Sequence, residues 1–235
     1  MTKEQIDNAT LEAIYWWNRD EHYYHQYFSK IDIIYNDKPL LEFFIGKIFE
    51  VFLREYSIRR NISAGYTSVN KFINDLFKND FVNAVKRGET DIIDEVSERI
   101  KSEGNSTKRQ TRSLLSKVAF LINPNSFSLF DNLAKNAIWS LYKGEKRFKS
   151  KEISNYSGFM KQTNHLRSDI AAKGLFGSSY LILKEFKDTN ASTFFKKHPN
   201  AFEMRIVDKF LWLLERNADG RQLLNAEYFK LNRMK

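Results

Sequence analysis

Lys117 and Asp131 are the two residues whose surroundings most suggest chemistry. Lys117 is embedded in an apolar run, with Leu114, Leu115, Val118, Ala119, Phe120, Leu121 and Ile122 around it. Burial penalises the charged form of a lysine, so an amine held in such a run has a lowered pKa and becomes a nucleophile. Asp131 follows Phe127, Leu129 and Phe130 at the entry of what reads as a new helix. There the free N–H groups and the helix dipole favour a carboxylate's charge. The turn Asn123-Pro124-Asn125-Ser126 folds the second helix back on the first, so the two charges are expected to face one cleft. A plainer reading makes Asp131 an N-cap and lets Lys117 snorkel to solvent, and such residues far outnumber active sites.

Anion recognition is the second chemistry the residues offer. Lys108, Arg109, Arg112 and Lys117 place four cations and no acid within ten residues, interleaved with Gln110, Thr111 and Ser113. Hydroxyl and amide groups with the free N–H groups of a helix start suit phosphate oxygens. Arg59, Arg60 and Asn61, near Gly65, form a lesser basic loop, for which capping of a helix C-terminus is the simpler account. Lys135, in the first turns after Asp131, joins these as a DNA-contact candidate. His22 and His25, three apart, have the spacing of a metal pair. They sit among Trp16, Trp17, Tyr23, Tyr24 and Tyr27 with no third ligand but Asp20 or Glu21, so packing is the better reading and no metal is expected.

The elements that must hold these residues are helices. The 235 residues include 9 glycines and 3 prolines, too few for the many tight turns of an all-β protein. Three- and four-residue apolar steps predict helices over 8–35, from Pro39 to Tyr56, and over 68–81, 91–101, 111–122, 152–173 and 202–215. Another opens at Asp131 and closes at Gly144, and a Leu- and Ile-rich element covers 180–186 after Gly174 and Gly177. A basic stretch of Lys146, Arg147, Lys149 and Lys151 separates two of them, and Gly220 precedes a short tail helix. The expected architecture is a single all-α domain over 1–235, with lobes at 1–104 and 105–235.

Composition bounds the function. No cysteine is present, which excludes a disulfide scaffold, a thiolate zinc site and a cysteine nucleophile. A net charge of +9 favours an anionic partner, nucleic acid before membrane. The first residues carry Glu4, Asp7, Glu12 and Asp20, unlike a signal peptide, and the best apolar run, 40–53, is broken by Glu42, Lys47 and Glu50. A cytoplasmic protein without membrane association is expected.

The segment from Ser113-Leu-Leu-Ser-Lys117 through Asn-Pro to Phe-Ser-Leu-Phe-Asp131 is similar to a pattern in bacterial proteins with an 8-oxoguanine DNA glycosylase fold. Arg205-Ile-Val-Asp208-Lys-Phe-Leu-Trp212 resembles the last helix of that group. More distantly, the order of lysine, apolar helix, turn and aspartate resembles the helix-hairpin-helix DNA glycosylases. The resemblance implies an enzyme that flips a damaged or modified base out of double-stranded DNA and excises it, in repair or in defence against phages with modified bases. It gives Asp131 the role of the catalytic carboxylate and Lys117 that of the lysine that attacks the sugar in bifunctional members. Phe120, Phe127, Phe130 and Trp139 would be pocket groups, and no cofactor is implied. The Leu-Pro-Gly-x-Gly hairpin of those enzymes is missing: residues 104–112 hold one glycine and no proline, so the phosphate grip would fall to Lys108, Arg109 and Arg112. A monomer is expected. The alternative is a non-catalytic helical module that binds nucleic acid or protein.

Overall fold

The computed structural model describes residues 1–62, 66–103, 111–144, 153–187 and 189–218, and the periodicity is realised as helix over most of them. Among them the regular elements are all helical. In order they are α1 (Lys3–Gln26), α2 (Ile31–Asn36), α3 (Lys38–Phe43), α4 (Glu50–Glu55), α5 (Tyr66–Lys78), α6 (Phe81–Arg87) and α7 (Ile92–Ser102). Then come α8 (Arg112–Ile122), α9 (Asn132–Tyr142), α10 (Tyr156–Ala172), α11 (Phe176–Glu185), α12 (Asn190–Lys197) and α13 (Pro199–Ala218). No helix among the described residues is long and apolar enough to cross a membrane.

Local chemistry explains most boundaries. Asp37 caps α3 by accepting the Leu40 amide at 3.1 Å, and Pro39 sits in the first turn, where no N–H is needed. The helix expected over 8–35 stops at Gln26, because Tyr27 and Lys30 leave helical backbone angles on either side of a 3-10 turn, Phe28–Lys30. That detour buries Phe28 with its ring 5.2 Å from Phe52 and 5.8 Å from Phe44. Between α3 and α4 a π-helical turn, Phe44–Phe49, adds a residue per turn and brings these two phenylalanines to 5.7 Å. The 152–173 helix begins, as described, at Tyr156, and Gly174 alone breaks it, with φ +67°; Gly177 lies inside α11. Thr189 caps α12, which the apolar pattern does not predict.

The chain forms two compact units, built from interleaved stretches. The first comprises residues 1–22, 128–154 and 158–235. In it α13 packs along α9, with Ala134, Ala137 and Ile138 buried on one helix and Ile206, Val207, Phe210 and Leu211 on the other. Trp17 is fully buried and stacks on Phe194 at 4.1 Å. The second comprises residues 23–127 and 155–157. There α8 packs on α6 and α7, and buried side chains such as Leu114, Leu115 and Leu121 contribute on the order of 2 kcal/mol each. Asn123 Nδ2 donates to the Val85 carbonyl at 3.0 Å, tying the turn after α8 to the end of α6. Gly88 ends α6 with φ +82°, and a Cβ there would meet Ser126 Oγ at 3.0 Å.

Candidate functional site

Lys117 belongs to the second unit. Its side chain is 7% exposed, because almost every neighbour on α8 is turned into the core. The amine does not reach for solvent: Nζ donates to Ser113 Oγ at 2.9 Å and to the Ser113 carbonyl at 3.4 Å, one turn back. Phe120 is buried on the same helix, and Phe127, at the end of this unit's long stretch, is buried and stacked on Tyr156 with centroids 6.2 Å apart.

Asp131 belongs to the first unit. Its extended backbone, φ −143° and ψ 175°, halts the preceding chain, and Oδ1 accepts the Ala134 amide at 2.8 Å as the N-cap of α9. Oδ2 has no hydrogen-bond partner among the described residues. One turn further Lys135 holds its Nζ 5.4 Å from the centre of the Phe130 ring. Phe130 is buried edge-on against Phe159, whereas Trp139 is 39% exposed on the outer side of α9.

The basic residues divide sharply. Arg112 is buried and already paired: Nε donates to Asp94, and a terminal nitrogen donates to Glu98 at 2.8 Å. Asp94 also accepts the amides of Tyr156 and Ser157, both at 2.9 Å, so Arg112 neutralises a carboxylate that anchors the start of α10. Arg59 pairs with Glu50 at 2.9 Å and donates to the Ile62 carbonyl at 3.0 Å, and Asn61 is buried, while Arg60 is exposed. Lys108 and Arg109 lie outside the described residues, as do the 145–152 basic stretch, Gly65 and Gly220.

A buried cluster of charge lies elsewhere in the first unit, between α1 and α13. Arg205 is 1% exposed and donates to Asp20 and, at 2.9 Å, to Asp208. Asp20 also accepts from Arg19 at 2.9 Å, and the nearby Glu12 accepts Trp16 Nε1 at 2.8 Å. Lys209 Nζ stands 4.8 Å from the centre of Trp16, 5.1 Å from that of Trp212 and 3.7 Å from Asp208 Oδ2. Burial, and then the Arg205 charge, pull the Lys209 amine down to about 8, against the opposing pull of Asp208, Asp20 and Glu12. Arg19 and Arg216 cover the two indoles at 4.3 and 4.1 Å.

Comparison with protein-family models, curated proteins and solved structures finds no match. Function therefore has to be argued from the residues themselves.

Lys209, Glu12 and Arg205 are not among the site residues expected from the sequence, where Asp20 enters only as a rejected metal ligand. A signal was present: Arg205 and the Asp208-Lys209 pair interrupt the apolar stripe of Met204, Ile206, Val207 and Phe210. Charges there must find partners or be expelled. A groove of about 590 Å³ also runs along α1 and α11, lined by Asp7, Asn8, Leu11, Ser178 and Ile182 among others. Among the described residues, none of the candidate catalytic or phosphate-contact side chains lines it.

Proposed function

We propose that this chain is a DNA glycosylase-like enzyme that excises a damaged or modified base, with Asp131 as its carboxylate. The observation that carries the reading is that Asp131 spends one oxygen on the α9 cap and keeps Oδ2 without a hydrogen-bond partner among the described residues. Base loss builds positive charge on the sugar, as in glycoside hydrolysis, and a fixed carboxylate beside it stabilises that charge and helps activate water. The resemblance of the Ser113–Asp131 segment and the +9 charge support DNA as the substrate. The target base has to leave the stack before it can be reached. Lys117, held by Ser113, is the amine proposed for attack on the sugar in a bifunctional course.

The test is base release from end-labelled duplexes carrying 8-oxoguanine, uracil, alkylated bases or modified cytosines, with and without alkali. Asp131→Asn is the informative variant, since asparagine caps a helix as well as aspartate does but carries no charge. Loss of release with an unchanged melting curve supports the reading. Cleavage without alkali, lost in Lys117→Gln, makes the enzyme bifunctional.

One observation favours a second reading, a non-catalytic nucleic-acid-binding module. The cap alone accounts for Asp131, just as the Asp94 and Glu98 pairs account for Arg112. On that reading no base is released, salt-sensitive DNA affinity persists, and Asp131→Asn leaves it unchanged.

A further inference from the structure

The groove along α1 and α11 lies wholly within the first unit and has no part in the chemistry proposed above. At about 590 Å³ it has the size of a small-molecule site. Leu11 and Ile182, 2% and 7% exposed, form its floor, and Leu181 stands beside them at 61%. Carboxylates flank this apolar strip: Glu4 and Asp7 from α1 and Glu185 from α11, against the one ammonium of Lys3. In a chain of net charge +9 the groove is therefore an acidic inlet. Asp7 accepts Ser178 Oγ at 2.7 Å and Lys3 Nζ at 2.9 Å. The lysine side chain is 68% exposed, so this surface pair contributes little and a competing ammonium can replace it. Glu4 has no partner among the described residues. Asn8, also in the groove wall, keeps Oδ1 shut from solvent without a hydrogen bond, a loss that an added N–H donor can recover once the amide turns toward it.

We propose that this groove binds an aliphatic di- or polyamine. Such a ligand alternates ammonium groups with methylene runs, as the groove alternates carboxylates with apolar side chains. One ammonium meets Glu4 and Asp7, displaces Lys3, and has N–H donors to spare for Asn8. The methylenes lie over Leu11 and Ile182 beside Leu181, where leaving water is favourable. A second ammonium meets Glu185 on α11. From Glu4 to Leu11 the helix rises about 10 Å, room for a diamine laid lengthwise. Other ions fit less well: a metal cation brings charge but nothing for the apolar floor, and the phosphates of nucleic acid are repelled by the carboxylates. The inference does not depend on base excision and stands or falls without it.

Equilibrium dialysis of the full chain against radiolabelled cadaverine and spermidine at physiological salt tests it. Saturable binding of one amine per chain is expected. The double variant Glu4→Gln with Glu185→Gln removes two of the carboxylates and is expected to weaken binding about tenfold. Leu181→Lys, which sets a rival ammonium beside the floor, is expected to weaken it as well. Glu42→Gln with Asp91→Asn removes the same charge from the second unit and is expected to leave binding unchanged. All five positions are exposed, so each variant is expected to fold, which a melting curve checks. Absence of saturable uptake overturns the proposal, and so does equal weakening by the two double variants. Displacement by Mg²⁺ as effective as by unlabelled amine does the same, since it reduces the site to bare charge. Binding of a lysine-bearing peptide with no uptake of either free amine assigns the groove to a protein partner and overturns the choice of ligand.

Discussion

Replacing Arg205 with leucine tests the electrostatics of the first unit directly. The guanidinium bonds two carboxylates from inside the core, and Asp20 is fully buried. Leucine fills much of the volume but takes from Asp20 and Asp208 the guanidinium that both of them bond. Removing one member of a buried ion cluster strands the others without solvent, which costs about 3–5 kcal/mol. At about 2–4 °C per kcal/mol for a chain of this size, the melting temperature falls by about 6–20 °C. Urea unfolding of Arg205→Leu, Asp20→Asn and the double variant measures it, because removing the stranded carboxylate's charge restores part of the loss. A coupling of at least about 1 kcal/mol is expected between the two sites. A loss below about 1 kcal/mol for Arg205→Leu, or strict additivity, would refute the argument that these charges depend on one another.

Four other outcomes are expected of the same structure. Between pH 8 and 10.5 the unfolded chain keeps a proton on Lys209 that the folded chain has released, so stability rises with pH across that window by about 3 kcal/mol. Urea unfolding at a series of pH values reads the rise, and Lys209→Met flattens it. Above pH 10 Tyr180, pushed up to about 12 by burial and the Glu203 charge, works the other way, because the folded chain then holds the extra proton. Asp131→Ala removes the α9 cap and costs about 1 kcal/mol in thermal unfolding, whereas Asp131→Asn changes stability by only a few tenths; equal losses would mean that the cap bond contributes little. Gly88→Ala places a methyl 3.0 Å from Ser126 Oγ at a positive φ and is expected to destabilise by about 1–3 kcal/mol, which calorimetry checks; a neutral result would show that the turn yields.

Where structure depends on a few consecutive residues, the sequence was a good guide. The bounds of α8, the turn at Pro124 and the cap at Asp131 all follow from local signals: an apolar run, a proline turn and a capping carboxylate. The interruption at Tyr27 could not be read, since aromatic residues continue the helical spacing straight through it. The π-helical turn at Phe44–Phe49 is hidden for the same reason. Of the candidate site, the cap at Asp131 was legible, whereas the plainer reading sends Lys117 to solvent and the structure turns its amine back to Ser113. The occupation of Arg112 was not legible, because Asp94 and Glu98 lie on another helix. The Arg205 cluster was further out of reach, because Arg205 and Asp20 are 185 positions apart and no local pattern links them.

The interleaving of the two units sets an order of events during synthesis. Apart from residues 155–157, the second unit is one continuous stretch, 23–127, and can collapse on itself as soon as that stretch has left the ribosome. The first unit cannot, because residues 1–22 must wait for α13, whose Arg205 meets Asp20 across nearly the whole chain. Closing so long a loop is entropically unfavourable until many contacts form together. A nascent chain halted at residue 127 would thus carry a folded second unit and an α1 whose buried face, including Trp17 and Asp20, lacks the α12 and α13 residues it packs on. That face is where a chaperone would find purchase.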